Sequence, residues 1–428
     1  KLVQLAIQET NTIPARAIDI SRPFDLPTRN LNIIRLHMAK FIPQWDEDIP
    51  TGAKFRRRIA RWLVNIKLWS FHDNRMEFQS LEQAIRWRSK MFPFLPLPNI
   101  IYDDMMSDEA MSRLAFVGCA CQYTHRIDET WHPGQGIPDE KFLANAVYVN
   151  DMTCLATFHV RKPYELYGAA AYFDKDFQLI AIYWSHTSRL IKKGELFWRH
   201  VKFVWRTSFF AYVTIRDHLI VTHMIEGNAF VMASRRCLPL NHPLRQFIKP
   251  FTYHNISINY QASVSLINER GLVHRIWAFE YDEFLKICDY ISMNYKFRLL
   301  PDFISKTMYP EVNNKTNDEW EQIYPIYHDS NIFWTIIQNY VSNFFEINFN
   351  CSIENDHLPQ DKYLIEFINE ICTQLGIAGI VSLRHFIDVL SQLIVTSTSI
   401  HEHVGQVSDY LIDPRFVGTK LQEGKEIQ

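Results

Sequence analysis

Two histidines, His218 and His223, stand five positions apart at the end of the stretch WRHVKFVWRTSFFAYVTIRDHLIVTH, residues 198–223. Neutral imidazole is a good ligand for iron, zinc or copper, so such a pair is candidate metal chemistry. The spacing sets a condition. On a regular α-helix, positions i and i+5 point roughly 140° apart. Both rings reach one ion only if the helix widens into a π-bulge, a feature that concentrates at functional sites. The alternative is a pair of ordinary core histidines, since 17 His in 428 residues produce this spacing by chance. Spacing alone does not choose between them.

The element that would position them is legible. From Trp198 to His223 there is no Gly or Pro, and apolar residues recur at mixed three- and four-residue intervals. That is the pattern of a helix buried on most sides. A second stretch, SLRHFIDVLSQLIVTSTSIHEHVGQVSDY from Ser382 to Tyr410, starts amphipathic and ends in small and β-branched residues. It reads as a buried helix that turns a polar cluster inward, with His401 and His403 in it. Residues 166–184, LYGAAAYFDKDFQLIAIYW, alternate as strands around a turn at Asp174 to Asp176 and predict a short antiparallel sheet packed on helices. Helix is also expected over 331–349 and over 360–376, and across 280–330 with a polar surface loop at 313–320. In the N-terminal part, 1–95, helical segments are broken by Pro43, Pro50 and the FPFLPLP run at 92–98. Residues 54–69 pair a basic with an apolar face, a solvated helix or at most a peripheral membrane contact.

Composition narrows the function classes. A content of 47% hydrophobic and 14% aromatic residues suffices for a large core, and a net charge of −2 gives no reason to expect nucleic acid. The seven cysteines lack CxxC spacing and read as free thiols. No uninterrupted run is long enough for a transmembrane helix. A soluble, cytoplasmic protein is the expectation, although a chain that begins at Lys1 says nothing about a leader.

Trp198, Lys202, His218 and His223 together resemble the central helix of the lipoxygenase family, whose HxxxxH carries two iron ligands. The likeness continues through Glu226, Ala233-Ser-Arg-Arg, Asn241-His242-Pro243, Lys249-Pro250 and Ser257-Ile258-Asn259-Tyr260-Gln261-Ala262 into Ser265-Leu266-Ile267-Asn268. It is strongest over 97–268 and 382–410. LIVTSTSIH is similar to the family segment that presents the third histidine, which makes His401 the third ligand. The family places Asn or His four residues on, where this chain has Gly405. Aligning Gly405-Gln406 with the family's Gly-Gln instead makes His403 the fourth ligand and Ser399 the third. Asp108 to Gly118 is similar to the family's helix before a substrate-pocket loop, and Cys119-Ala120-Cys121 stands where the family follows it with Asn-Pro. The family's terminal Ile carboxylate has no counterpart before Ile427-Gln428, so either the chain is truncated or fewer protein groups hold the metal.

The resemblance implies a mainly α, lipoxygenase-like catalytic domain over 1–428, built around two long metal-bearing helices with a small antiparallel β piece. It implies non-haem iron, or manganese, and an apolar polyunsaturated fatty acid that loses a hydrogen and gains O₂ to give a hydroperoxide. It places Ala262 and Leu266 in the substrate pocket, against a reading of both as plain core. Two alternatives remain: an iron oxygenase of this fold acting on a terpenoid or polyketide, and an inactive lipid-binding relative.

Overall fold

The computed structural model describes residues 106–127, 145–253, 255–262, 272–303 and 325–405, with isolated positions around 80–86, 104, 267 and 419–424. The N-terminal segments, the 54–69 helix, the 92–98 proline run, the 313–320 loop, Leu266 and Gln406 lie outside them.

Helix α1, Asp108–Phe116, opens on Ser107, whose hydroxyl accepts from the Ala110 N–H at 3.1 Å, and carries two acids in its first turn. A five-stranded antiparallel meander follows: β1 Thr124–Arg126, β2 Tyr148–Asp151, β3 Ala169–Phe173, β4 Leu179–Trp184 and β5 Arg189–Lys192, in that spatial order. The sequence pattern anticipates only β3 and β4. Their connection is fixed by Asp174, whose carboxylate accepts from the N–H groups of Asp176 and Gln178 at 2.9 Å each. Strand β3 is buried along its whole length, Tyr172 packing on one face with Val149 and Tyr183, Phe173 on the other with the helical core. A strand covered on both faces lacks clean alternation.

Helix α2, Trp198–Tyr212, lies on β3 and β4. The Gly168 N–H donates to Ser208 Oγ at 2.9 Å, and Trp205 Nε1 donates to Asn150 Oδ1 at 3.2 Å. The Trp198 and Lys202 pair has a structural purpose. Trp198 Nε1 and Lys202 Nζ both donate to Asp108 Oδ1, at 2.9 and 2.8 Å, pinning the start of α2 to α1. Burial alone would push the Asp108 carboxyl up, but the Lys202, Lys193 and Trp198 hydrogen bonds outweigh it and hold the group below its ordinary value.

Beyond Tyr212 the same helix continues in π-helical geometry over Val213–Gly227, then as α3, Asn228–Cys237. The widening that the His218 and His223 spacing demands is therefore present. After α4, Pro243–Ile248, α5, Asn255–Gln261, and α6, Tyr281–Met293, come the longer helices α7, Pro325–Phe349, α8, Lys362–Leu375, and α9, Leu383–Val395. Helix α8 packs on α3, and α7 packs on α9. Helix α9 also opens into π geometry, over Thr396–Ile400, before a last turn α10, His401–Gly405. The sequence makes the first widening the condition for His218 and His223 to share an ion and gives no sign of the second. The two widened segments pack against each other in the middle of the helical part. All seven cysteines are free, and no described helix is long and apolar enough to cross a membrane.

Gly227 closes the first π segment where two other groups come very near. A Cβ there would meet the Thr222 carbonyl oxygen at 2.6 Å and Asn255 Nδ2 at 2.7 Å, distances at which backbone must move. Gly227→Ala is expected to destabilise the fold by about 1–3 kcal/mol. A urea midpoint unchanged from wild type would show that the π segment does not hold this geometry.

Candidate metal centre

The two π segments bring three histidines from positions far apart in the chain to one point. His218 Nε2 lies 3.3 Å from His223 Nε2 and 3.3 Å from His401 Nε2, and the last pair is 3.0 Å apart. Their rings meet at centroid separations of 4.9–5.0 Å. Among the described residues this is the group of His, Cys, Asp and Glu side chains able to hold a metal ion. Six hydrogen-bonding nitrogens are shared among three neutral rings, so three mutually facing Nε2 atoms cannot all be satisfied by one another. A cation at their centre would satisfy them together. With metal–nitrogen distances of about 2.0–2.1 Å, angles of about 90–105° give nitrogen separations of about 2.9–3.3 Å, which the triad meets.

The tautomer is fixed at one ring. Asn259, fully buried on α5, donates its Nδ2 to the His223 carbonyl at 2.8 Å and turns its Oδ1 to His223 Nδ1 at 3.2 Å. His223 therefore carries its proton on Nδ1 and offers a lone pair at Nε2, the arrangement a metal-ligating histidine needs. Sequence reasoning quoted Asn259 within a motif and gave it no role.

Glu226 is the second residue that acquires a role only in three dimensions. It is buried, three positions beyond His223, and accepts from Tyr295 Oη at 2.9 Å and from Thr396 Oγ1 at 2.5 Å. Thr396 begins the other π segment, so this carboxyl ties the two ligand-bearing segments together. Burial raises Glu226 to about 7, and the Thr396 and Tyr295 hydrogen bonds only partly offset that. Asp217, beside His218, is also raised by burial against the pull of Arg216, Tyr123 and Gln122.

The remaining residues named from the sequence are distributed as follows. His403 does not join the triad; its Nε2 lies 4.0 Å from the buried Cys121 Sγ. Ser399 donates to the Val395 carbonyl within its own helix. Ala262 is buried just past the end of α5, three positions beyond Asn259. A cavity of about 470 Å³ lies behind the two π segments, with Val221, Leu300, Phe333 and Ile400 among its apolar walls and His403 and Glu226 among its polar ones. Ala262 is not part of its lining.

Comparison with known proteins gives one family. The lipoxygenase family model matches residues 182–378, which include His218 and His223 and stop before His401. Over 167 residues the chain is 23% identical to polyunsaturated fatty acid lipoxygenase ALOX15 of Mus musculus, a match that covers 39% of this chain and 23% of that protein. The chain thus matches less than a quarter of that relative's length. An anaerobic crystal structure of delta413-417:GS LOX in complex with arachidonate is similar with a TM-score of 0.66 at 15% identity, covering 90% of this chain and 64% of that one. A structure titled manganese lipoxygenase is similar with a TM-score of 0.61 at 16% identity, over 74% and 60% of the two chains. At such identities the solved structures speak for the fold: mainly helical, with a small antiparallel sheet.

Proton linkage gives the centre a measurable signature in the metal-free chain. Burial, with His223 and His401 nearby, lowers His218 from 6.5 to about 3; burial and His401 lower His223 to about 4; burial lowers His401 as well. Below pH 6.5 the unfolded chain binds protons that the folded site refuses, so these rings make stability fall as pH drops from about 6.5 towards about 4. Glu226 acts with the opposite sign. Its raised folded value makes a contribution that is present below about pH 4.5 and lost as pH rises through about 7. Urea midpoints of the metal-free chain are expected to be lower at pH 5 than at pH 7, three rings outweighing one carboxyl. Glu226→Gln should steepen that fall and raise the midpoint above pH 7. An unchanged profile in Glu226→Gln would contradict a buried, raised carboxyl.

Proposed function

We propose that this chain, a divergent lipoxygenase-family catalytic domain, holds one non-haem iron on His218, His223 and His401 and oxygenates a polyunsaturated fatty acid to a hydroperoxide. Supporting this most directly is the convergence of three Nε2 atoms at 3.0–3.3 Å, two from the first π segment and one from the turn that follows the second. An all-imidazole donor set suits iron, and manganese would be held by the same three atoms. When bound, the metal would supply the redox chemistry that takes a hydrogen from a bis-allylic carbon and lets O₂ add to the resulting radical.

The chain's own residues carry the rest. Asn259 fixes the His223 ring and its tautomer, so the donor lone pair is aimed before any metal arrives. The Glu226 contacts to Thr396 and Tyr295 hold the two ligand segments in register. Low histidine pKa values keep all three donors deprotonated near neutral pH. A similar fold has been solved with arachidonate bound, which supports a fatty acid as the substrate class here. On this reading Ala262 and Leu266 stand beside the reacting carbon, and they fix its position and the face O₂ reaches.

Metal analysis tests the centre. The purified chain is expected to hold close to one iron, and single substitutions of His218, His223 or His401 by Ala are expected to lose it. His403→Ala, by contrast, should keep both its iron and most oxygen uptake on linoleate, because its ring faces Cys121. Full iron occupancy in His223→Ala would sink the assignment, and iron loss in His403→Ala with retention in His401→Ala would move the third ligand to the other register. A wild type with neither iron nor manganese that still binds fatty acid would support the inactive, lipid-binding alternative.

Product stereochemistry tests the pocket. The Ala262 methyl beside a pentadienyl radical would block O₂ at one end and leave the other open. A barrier difference of about 1.4 kcal/mol is about tenfold in product ratio, so one methyl is enough. Mainly S hydroperoxide is expected, shifting towards R and a different carbon in Ala262→Gly, read by chiral chromatography. An unchanged ratio would place the acyl chain away from Ala262, and the cavity behind the π segments would take its place.

A further inference from the structure

Tyr123 meets the central helix where α2 gives way to π geometry. Its ring packs edge-on against Tyr212, the last residue of α2, at 5.3 Å between centroids. Its hydroxyl accepts from Arg216 Nη1 at 3.1 Å and donates to Asp217 Oδ2 at 2.5 Å. Gln122 Nε2 donates to the same carboxylate oxygen at 2.6 Å, and Arg216 Nη1 donates to the other. Asp217 is buried and stands directly before His218. Two of its donors thus come from the short turn Cys121–Tyr123. That turn is fixed from behind. Asn150 of β2, fully buried, donates to the Ala120 carbonyl at 2.9 Å and to Thr124 Oγ1 at 3.0 Å. The same Asn150 accepts from Trp205 Nε1, on α2, at 3.2 Å.

Asn150 and the turn it holds therefore grip the central helix twice, at Trp205 and at Asp217. The helical period decides whether that is possible. On a regular α-helix, residues twelve apart point roughly 120° from each other. A π stretch advances by about 80° per residue in place of about 100°, so the widening that starts at Val213 brings the two directions within about 50°. Only the widened helix presents both side chains to one partner. We propose that Asp217 and the Cys121–Tyr123 turn are a positioning device: with Asn150 they wind the helix into π geometry ahead of His218 and so aim that ring before any ion arrives. A helix that relaxed towards α would take the buried carboxyl away from Gln122 and Tyr123, and a buried charge stripped of its donors is among the costliest defects in a core. The proposal rests on the metal-centre reading and adds to it which residues set the direction of one donor.

Cobalt(II) reads the placement of the ring, because its d–d absorption reports the number and arrangement of donors. The full chain, stripped of metal and titrated with cobalt(II), is compared with two variants. Asp217→Asn keeps the shape of the side chain but turns an amide N–H₂ towards other donors. Tyr123→Phe removes one donor and leaves the helix sequence intact. Asp217→Asn is expected to bind cobalt about tenfold more weakly or worse, the loss typical of a residue that orients a metal ligand, and Tyr123→Phe several-fold more weakly, each with an altered spectrum. Tyr167→Phe is the control. It removes a buried hydroxyl that donates to the Thr419 carbonyl at 2.6 Å and accepts from the Ala278 N–H at 2.7 Å, neither partner being on the central helix. Its urea midpoint should fall while its cobalt affinity and spectrum stay those of the wild type. Unchanged cobalt affinity and spectrum in Tyr123→Phe would overturn the proposal, even if Asp217→Asn does not fold. An equal loss in Tyr167→Phe would overturn it too, since any loss of stability would then suffice. A wild type that takes up no cobalt, iron or manganese would overturn the metal centre itself, and this positioning role with it.

Discussion

The helical part of this protein depends on a backbone that gives up regular α geometry at two facing places. In a π-helix the hydrogen bonds run five residues back, so side chains five apart come onto one side of the helix. That change of period turns His218 and His223 from divergent to convergent. A matching change over Thr396–Ile400 rotates His401 into the same point and His403 away from it. Widened helices are intrinsically less favourable than α-helices, which is why they are short and rare. Here the two pack against each other and are joined by the buried Glu226 to Thr396 contact.

Those contacts also carry an electrostatic cost. A buried carboxyl at Glu226 and rings that burial keeps neutral are all groups that water would solvate better. Each is retained where it touches a ligand-bearing segment: Glu226 bridges the two through Thr396, and Asn259 satisfies both the carbonyl and the ring of His223. A neutral, preorganised cluster of lone pairs in a shielded place is poor for a protein without a cation and good for one that binds it. The same arrangement explains why Cys119 and Cys121 sit close by without joining in. Burial pushes both thiols up, Cys121 to about 12, which keeps them as packing groups.

The start of the central helix shows how far a local motif can be read. Trp198 and Lys202 are four apart and point the same way, as the helix period requires, but the sequence does not say what they face. The structure supplies Asp108, ninety residues earlier in the chain, as their common partner. Their role is to fix where the helix begins, and through that the height at which the π segment presents its histidines.

The sequence by itself determined the central buried helix, the condition that its histidines share an ion only if it widens, the helices at 331–349, 360–376 and 382 onward, and one hairpin. All of these follow from periods and spacings within a single element, where each residue's neighbours are set by covalent distance. The rest depended on packing between elements. Strands β1, β2 and β5 are three or four residues long, too short to show a period. The second π segment has no HxxxxH to announce it. Whether His401 or His403 faces His218 turns on a rotation of the last helical turn, which no residue in that turn reveals. Asn259 and Glu226 are unremarkable as letters; they matter because Asn259, near the end of α5, meets His223, and Glu226 meets Tyr295, just past α6, and Thr396 on the other π segment. Tertiary structure decided these because a donor set is a statement about distances between residues 183 positions apart in the chain, His218 and His401, and only the packed fold fixes those distances.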